Sequence, residues 1–337
     1  MEKRVLQAVV LLAVLLLGAA GLYSWLHTRE SRGENTLVVG YHRNFGGASA
    51  MMIGVEEGYF EEEGLDVQLV SFSSGPSSIA ALEAGDVDVS FLGHGATSFL
   101  LAGKAEVIAL DSLSYAEEIL VRADANIHTV EQLAGRRIAT PLGTSGENFL
   151  DIVLQSKGMS LADVTTVNYD VAGAVTALST GAVEAAAVWA PYTAEAREMM
   201  GSDVEVLADC RDMQNQVRLP MSWVANGEYI RQNPQKLEAF VRALYKSMAY
   251  RSAHLPQAVT ITAKGLGIEK DLILQDVDIA EWITPDSLRG YLQNGDIKRW
   301  YADMHQLFKN KNGAAESAVP VEEYLHLEFM QAAVQQE

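Results

Sequence analysis

Six short stretches of this chain carry residues that could hold a small ligand. They are Tyr41-His42-Arg43-Asn44, Gly75-Pro76-Ser77-Ser78, Gly93-His94-Gly95-Ala96-Thr97, Leu142-Gly143-Thr144-Ser145-Gly146, Val171-Ala172-Gly173 and Trp189-Ala190-Pro191-Tyr192. Each lies where an apolar run gives way to a helix-like pattern. Glycine lets a backbone approach a ligand closely, and serine and threonine add donors. The first turn of a helix leaves N–H groups unpaired and carries about half a positive charge, which suits an anionic group. The competing reading of each turn is ordinary capping, by Ser77 or Thr144 for example. Arg43 could grip an anion with two bonds or form a surface ion pair. His42 and His94 either touch a ligand or serve as solvated or capping side chains. Asp170 could meet a ligand amine or cap the next helix. Trp189, Tyr192 and Trp223 could wall a pocket or pack into a core.

Other chemistries find no pattern. The seven histidines show no HExxH or HxxEH spacing, so a zinc hydrolase has no support. Neither a GxSxG elbow nor a GxxxxGK[ST] loop occurs. Cys210 is the one cysteine, which excludes an internal disulfide and a CxxC redox pair. No cofactor is expected. Lys and Arg number 25 against 44 Asp and Glu, a formal charge of −19, and such a surface repels phosphate backbones, so no nucleic-acid partner is expected.

The elements that must position these turns alternate. Strands are predicted at Thr36–Tyr41, Leu65–Phe72, Val87–Leu92, Val107–Asp111 and Glu118–Arg122. Helices are predicted at Met51–Gly58 and Ser77–Ala84, with another beginning at Thr97. The same rhythm continues with a short helix at Thr129–Leu133, strands at Arg137–Thr140, Thr165–Tyr169 and Ala185–Trp189, and helices at Gly146–Gln155 and Ala174–Thr180. This grammar predicts an α/β fold with a parallel or mixed sheet covered on both faces. ALEAGDVDVSFLG (81–93) matches ALSTGAVEAAAVW (177–189) in register at an offset of 96 residues, which suggests two lobes of like fold. After Pro220 the pattern turns helical. Asn233–Tyr250 is amphipathic, capped by Asn233 with Pro234 in its first turn. Helices separated by Gly265, Gly267 and Pro285 follow, then a loop at Lys309–Ala318 and a last helix at Val321–Gln335.

The 337 residues, 49% hydrophobic and 20% charged, suggest about two globular domains. Cationic residues 1–4 precede the apolar run Val5–Tyr23, which reads as a cleaved export signal or as a retained membrane anchor. Residues 24–35 are a polar tether. Either way the body is expected outside the cytoplasm.

The segment from Gly40 to Gly93, with GYFEEEGLDV, a Gly-Ser turn and ALEAGDVD, resembles the opening of solute-binding proteins of the nitrate/sulfonate/taurine class of ABC importers. The segment from Val121 to Tyr192 is similar to the second lobe of the same proteins, and the resemblance spans residues 36–255. It implies a two-lobed periplasmic-binding-protein type II fold with C-terminal helices behind an N-terminal hydrophobic segment. Lobe one would be 36–122 with 222–255, lobe two 123–221, and 256–337 a helical region packing on lobe one. The crossovers would lie near Val121–Ala125 and Val217–Val224. Carried over by position, the ligand contacts would be Arg43, Asn44, Ser74, Gly75, Ser77, Gly93, His94, Ala96, Gly143, Thr144, Ser145, Asp170 and Trp189. Many relatives have an acid between the Trp and Pro of the WxP turn; this chain has Ala190.

The resemblance implies a monomer that binds a small anionic or zwitterionic solute and hands it to an ABC permease with its ATPase, and that is not an enzyme. Two other readings stand beside it: a sensory binding protein, and an enzyme on the same fold, such as the pyrimidine-precursor synthases of thiamin synthesis. The latter act in the cytoplasm with a cysteine-rich motif, against which the export signal and lone Cys210 argue.

Overall fold

The computed structural model describes residues 33–215, 217–311 and 318–335. The signal or anchor expected at 5–23, and most of the tether, lie outside the described residues. The chain divides into two units, Met1–Thr36 and Leu37–Glu337; apart from the first residue of its first strand, every described sheet and helix lies in the second.

Among the described residues eleven strands form two sheets. The strands are β1 (Thr36–His42), β2 (Asp66–Phe72), β3 (Val89–Leu92), β4 (Glu106–Ser114), β5 (Glu117–Arg122), β6 (Arg137–Thr140), β7 (Thr165–Asn168), β8 (Ala185–Trp189), β9 (Val204–Asp209), β10 (Pro220–Ala225) and β11 (Ala280–Trp282). The six-stranded sheet runs β11-β4-β10-β3-β1-β2 and the five-stranded sheet β7-β6-β8-β5-β9. Both are mixed. β1 runs parallel to β3, while β10 is antiparallel to β3 and β4. β6 is parallel to β7 and β8, while β5 is antiparallel to β8 and β9. The inner strands are continuously apolar, as burial on both faces requires: Leu37, Val39, Val89 and Phe91 are wholly buried, as are Ala185 to Val188.

Helices of nine residues or more are α1 (Phe45–Glu56), α2 (Gly75–Ala84), α3 (Ser145–Gln155), α4 (Val171–Ser179), α5 (Tyr192–Met200), α6 (Pro234–Ala253), α7 (Leu255–Leu266), α8 (Pro285–Asn294), α9 (Asp296–Lys311) and α10 (Leu327–Gln335). α6 buries Leu237, Phe240, Val241, Leu244, Tyr245 and Met248 on one stripe, each such side chain contributing about 1.5–3 kcal/mol. Phe240 stacks on Phe60 at 5.6 Å. The Tyr245 hydroxyl donates to Leu110 O at 3.0 Å and accepts from Leu110 N at 3.1 Å. It satisfies both groups where β4 shifts register against β10. α2 stops at Gly85, whose φ of +76° suits the left-handed C-cap.

Several sequence expectations change. The chain passes between sheets at Tyr115–Ala116, not near Val121–Ala125, because β5 pairs with β8 and β9. β5 therefore belongs with the second half rather than the first. Pro220 opens the central strand β10 instead of ending the strands: as the first residue of a strand it need not donate to the ladder. β9, β10 and β11 were not foreseen. Gly265 lies inside α7. Asn233 sits at the N-cap of α6 without a side-chain cap bond; its amide donates to Tyr229 O. α9 runs on to Lys311, and the last helix is two, Val321–Tyr324 and α10. Among the described residues no helix is long and apolar enough to cross a membrane.

Candidate functional site

The C-terminal ends of the inner strands of both sheets meet at one cavity of about 540 Å³. In open α/β sheets this is where ligands are bound, because the next helices start there. Ten of the thirteen residues singled out in the sequence line it: Arg43, Asn44, Ser74, Gly75, Gly93, Ala96, Gly143, Thr144, Ser145 and Trp189. Three do not. Ser77 is exposed on α2, and its hydroxyl donates to Ser74 O at 2.8 Å. Asp170 is exposed and accepts from Gly173 N at 2.6 Å, the N-cap of α4. His94 is buried behind the wall.

The helix starts at this cavity differ in what they leave unpaired. At α1, Asn44 accepts from Gly47 N at 2.8 Å, and the buried Asp276 carboxylate receives Phe45 N at 3.5 Å. Burial, resisted by that backbone bond, raises Asp276 to about 6. This turn already holds a carboxyl group. At α2 and α3 the N-cap residues are Ser74 and Thr144, and neither side chain caps its helix; at α3 the Glu147 carboxylate accepts from Gly143 N, just before the cap, at 2.8 Å. Thr144 instead donates to Pro141 O at 2.6 Å. Two helix N-termini, one from each sheet's half, thus face the same space without a side-chain cap. Arg43 is exposed, and its Nη2 donates to Leu266 O at 2.8 Å, the last carbonyl of α7.

His42 and Glu117 both border the cavity. Burial lowers His42 to about 4, opposed by a hydrogen bond to the Ser74 backbone. Its ring meets Phe91 edge-on at 5.3 Å, and its buried Nε2 has no partner among the described residues. Glu117 lines the cavity at 1% exposure. Burial alone would raise its carboxyl; the charge and hydrogen bond of His94, with the Ser114 and Ser145 hydroxyls, outweigh burial and hold it at about 2. His94 Nε2 lies 3.1 Å from Glu117 Oε1, within ion-pair range though not in linear hydrogen-bond geometry. The other ring nitrogen, Nδ1, is 3.0 Å from Asn148 Nδ2 on α3. Cys210 donates from Sγ to Glu117 Oε2 at 3.4 Å, and burial first, then that carboxylate, pushes its thiol well above the usual range. Such a thiol is a poor nucleophile. Among the described residues no group of three or more His, Cys, Asp and Glu is placed to hold a metal ion.

Sequence reading missed Glu117, Ser112, Ser114, Met221, Ile279, Ala280 and Trp282 in this lining. Tyr192 also lines it, whereas Trp223 is a core residue with 0% exposure.

The family model described as NMT1/THI5 like matches residues 48–258, more than half of the chain. The chain belongs to the NMT1/THI5-like family. Of similar proteins, one from Brucella abortus named as a binding protein is 28% identical over 270 residues, covering 80% of this chain and 84% of that protein. The taurine-binding periplasmic protein of Escherichia coli is 25% identical over 284 residues, covering 81% and 86%. The crystal structure of the periplasmic aliphatic sulphonate binding protein of Escherichia coli superposes with a TM-score of 0.67 at 20% identity, covering 87% of this chain and 92% of that one. This NMT1/THI5-like chain thus has the periplasmic-binding-protein fold, and its relatives are solute-binding proteins.

Proposed function

We propose that this protein is the extracytoplasmic solute-binding component of an ABC importer, taking a small anionic or zwitterionic solute of the sulfonate, taurine or nitrate kind. The observation that carries this reading is the pair of uncapped helix starts, α2 and α3, turned on one cavity from opposite sheets. Their N–H groups and partial positive charge would receive an oxyanion head, with the Gly75 and Ser145 backbone at closest approach and Gly143, whose N–H is held by Glu147, beside it. Arg43, Asn44, Ser74, Gly93, Ala96, Thr144 and Trp189 would complete the surround. The names of the relatives, taurine-binding and sulphonate-binding, support this solute class.

In this reading the strands through Ser114, with β10 and the C-terminal helices, form one lobe. β5 to β9 form the other, and the passages at Tyr115–Ala116 and 217–219 are the hinges about which the lobes close. The solute would pass to a permease and its ATPase; the apolar N-terminus would export the chain and either be cleaved or hold it to the membrane. The protein acts as a monomer. An enzymatic role is disfavoured, since the sole thiol is buried behind Glu117 and held protonated well above the usual range.

The test is a thermal-shift panel of ethanesulfonate, taurine, nitrate, amino acids and pyrimidines. A ligand at 100 times its dissociation constant stabilises by about 2.7 kcal/mol. Stabilisation by the oxyanions is expected. If only cationic or neutral heterocycles raise the melting temperature, the reading fails.

A further inference from the structure

The cavity keeps its volume of about 540 Å³ while the two halves already touch beside it. A Cβ added to Gly95 would lie 2.0 Å from the Thr144 carbonyl carbon and the Ser145 nitrogen. Across the same junction Asn148 meets His94 at 3.0 Å. The space is therefore not the width of a gaping cleft. It falls within the roughly 300–1,000 Å³ of sites that enclose drug-sized ligands. Nitrate or taurine would leave most of it to water.

Its apolar wall comes from Phe72, Trp189, Tyr192, Met221, Ile279 and Trp282. Trp282 is the most firmly placed of these. Its Nε1 donates to Val277 O at 2.7 Å, its ring meets Phe45 edge-on at 5.2 Å, and the buried Arg251 guanidinium lies 4.6 Å from its centre. It stands against the first turn of α1, where a Cβ on Gly46 would come 3.6 Å from the indole. The Phe45 and Gly47 N–H groups of that turn are spent on Asp276 and Asn44. This corner offers an aromatic face and few donors for an oxyanion. Ile279, Ala280 and Trp282 also lie beyond residues 48–258, the part the family model matches.

We propose that the solute carries an aromatic body behind its oxyanion head, and that Trp282 is the residue that selects for it. The inference rests on the solute-binding reading above. The head would meet the starts of α2 and α3; the ring would lie on the indole, where offset or edge-on contact adds to area burial.

Isothermal titration calorimetry on the full chain tests it, with 2-naphthalenesulfonate, 2-naphthoate, taurine and nitrate as probes. At least one naphthalene probe should bind ten times more tightly than taurine; which one binds separates a sulfonate from a carboxylate head. Trp282→Ala should weaken that probe at least tenfold and leave taurine within twofold. Ala280→Phe, on the same strand face two residues away, should fill the wall and exclude the naphthalene probes while sparing taurine. Taurine or nitrate binding as tightly as both naphthalene probes, or Trp282→Ala weakening taurine equally, overturns the aromatic-body inference and leaves solute binding standing. Binding by none of the four probes overturns both.

Discussion

Two buried ion pairs show how differently the core of the six-stranded half and the junction between halves are built. Arg251 and Asp111 are both at 0% exposure, 3.2 Å apart, inside one half. The Ser49 hydroxyl and the Asp111 carbonyl accept from Arg251, and the Trp223 indole N–H donates to Asp111, while Arg251 Nε has no partner among the described residues. His94 and Glu117 are as deeply buried, but they join a residue before the Tyr115–Ala116 passage to one after it, with Asn148 and Ser145 of α3 as neighbours. The first pair sets a guanidinium against a carboxylate; the second sets an imidazole against a carboxyl that its neighbours hold at about 2. The first is completed by partners inside one half, whereas the second draws its partners from both sides of the passage.

The largest effect should come from the Arg251–Asp111 pair. Arg251→Ala leaves the Asp111 carboxylate buried and alone, and should cost about 3–5 kcal/mol in urea unfolding. A loss below about 1 kcal/mol would remove the contrast. Glu117 should show itself in acid. Glu117 is held at about 2, below its ordinary 4.5, so its contribution is complete above about pH 4.5 and disappears as pH falls toward 2. The wild type should lose about 3 kcal/mol over that window, and Glu117→Gln should lack this limb. His42, lowered from 6.5 to about 4, disfavours the fold in a separate window: stability falls as pH drops from about 6.5 to 4. His42→Gln should flatten that upper limb alone; if the Glu117 variant flattens both, the assignment of the two groups is wrong.

Smaller changes sharpen the junction itself. Gly95→Ala sets a methyl against the Thr144–Ser145 backbone and should force the halves apart. The tightest probe of the calorimetric panel should then bind about tenfold more weakly, about 1.4 kcal/mol. Unchanged affinity would mean that binding does not need this contact. Asp170→Ala should be the mildest, costing about 1 kcal/mol of stability through the lost cap of α4 and leaving affinity untouched.

Much of this architecture was legible because it is local. LDVQLVSF alternates, ALEAG ends in a left-handed glycine, and Gly-Thr-Ser precedes a helix, so strands, stops and helix starts could be placed within a few residues. Ten cavity residues came from those turns together with the family resemblance that carried the contacts over by position. What escaped depends on distant partners. β10 contains Pro220 and Ser222 and reads poorly as a strand, yet it fills the slot between β3 and β4 from over a hundred residues away. β11 has three residues, too few for periodicity. Glu117 looks like any strand-end acid; only His94, twenty-three positions earlier, makes it a buried carboxylate. Asp170 and Ser77 were assigned to the site from turn chemistry that capping and local bonding absorb.

The order of strands in the larger sheet has a consequence for synthesis. The smaller sheet has all its strands once Asp209 has left the ribosome. The larger one waits for β10 between β3 and β4, and its edge waits for β11 near residue 282. β1 to β4 therefore lack their central partner until Ala225 has been made, and the larger sheet cannot close its edge before Trp282.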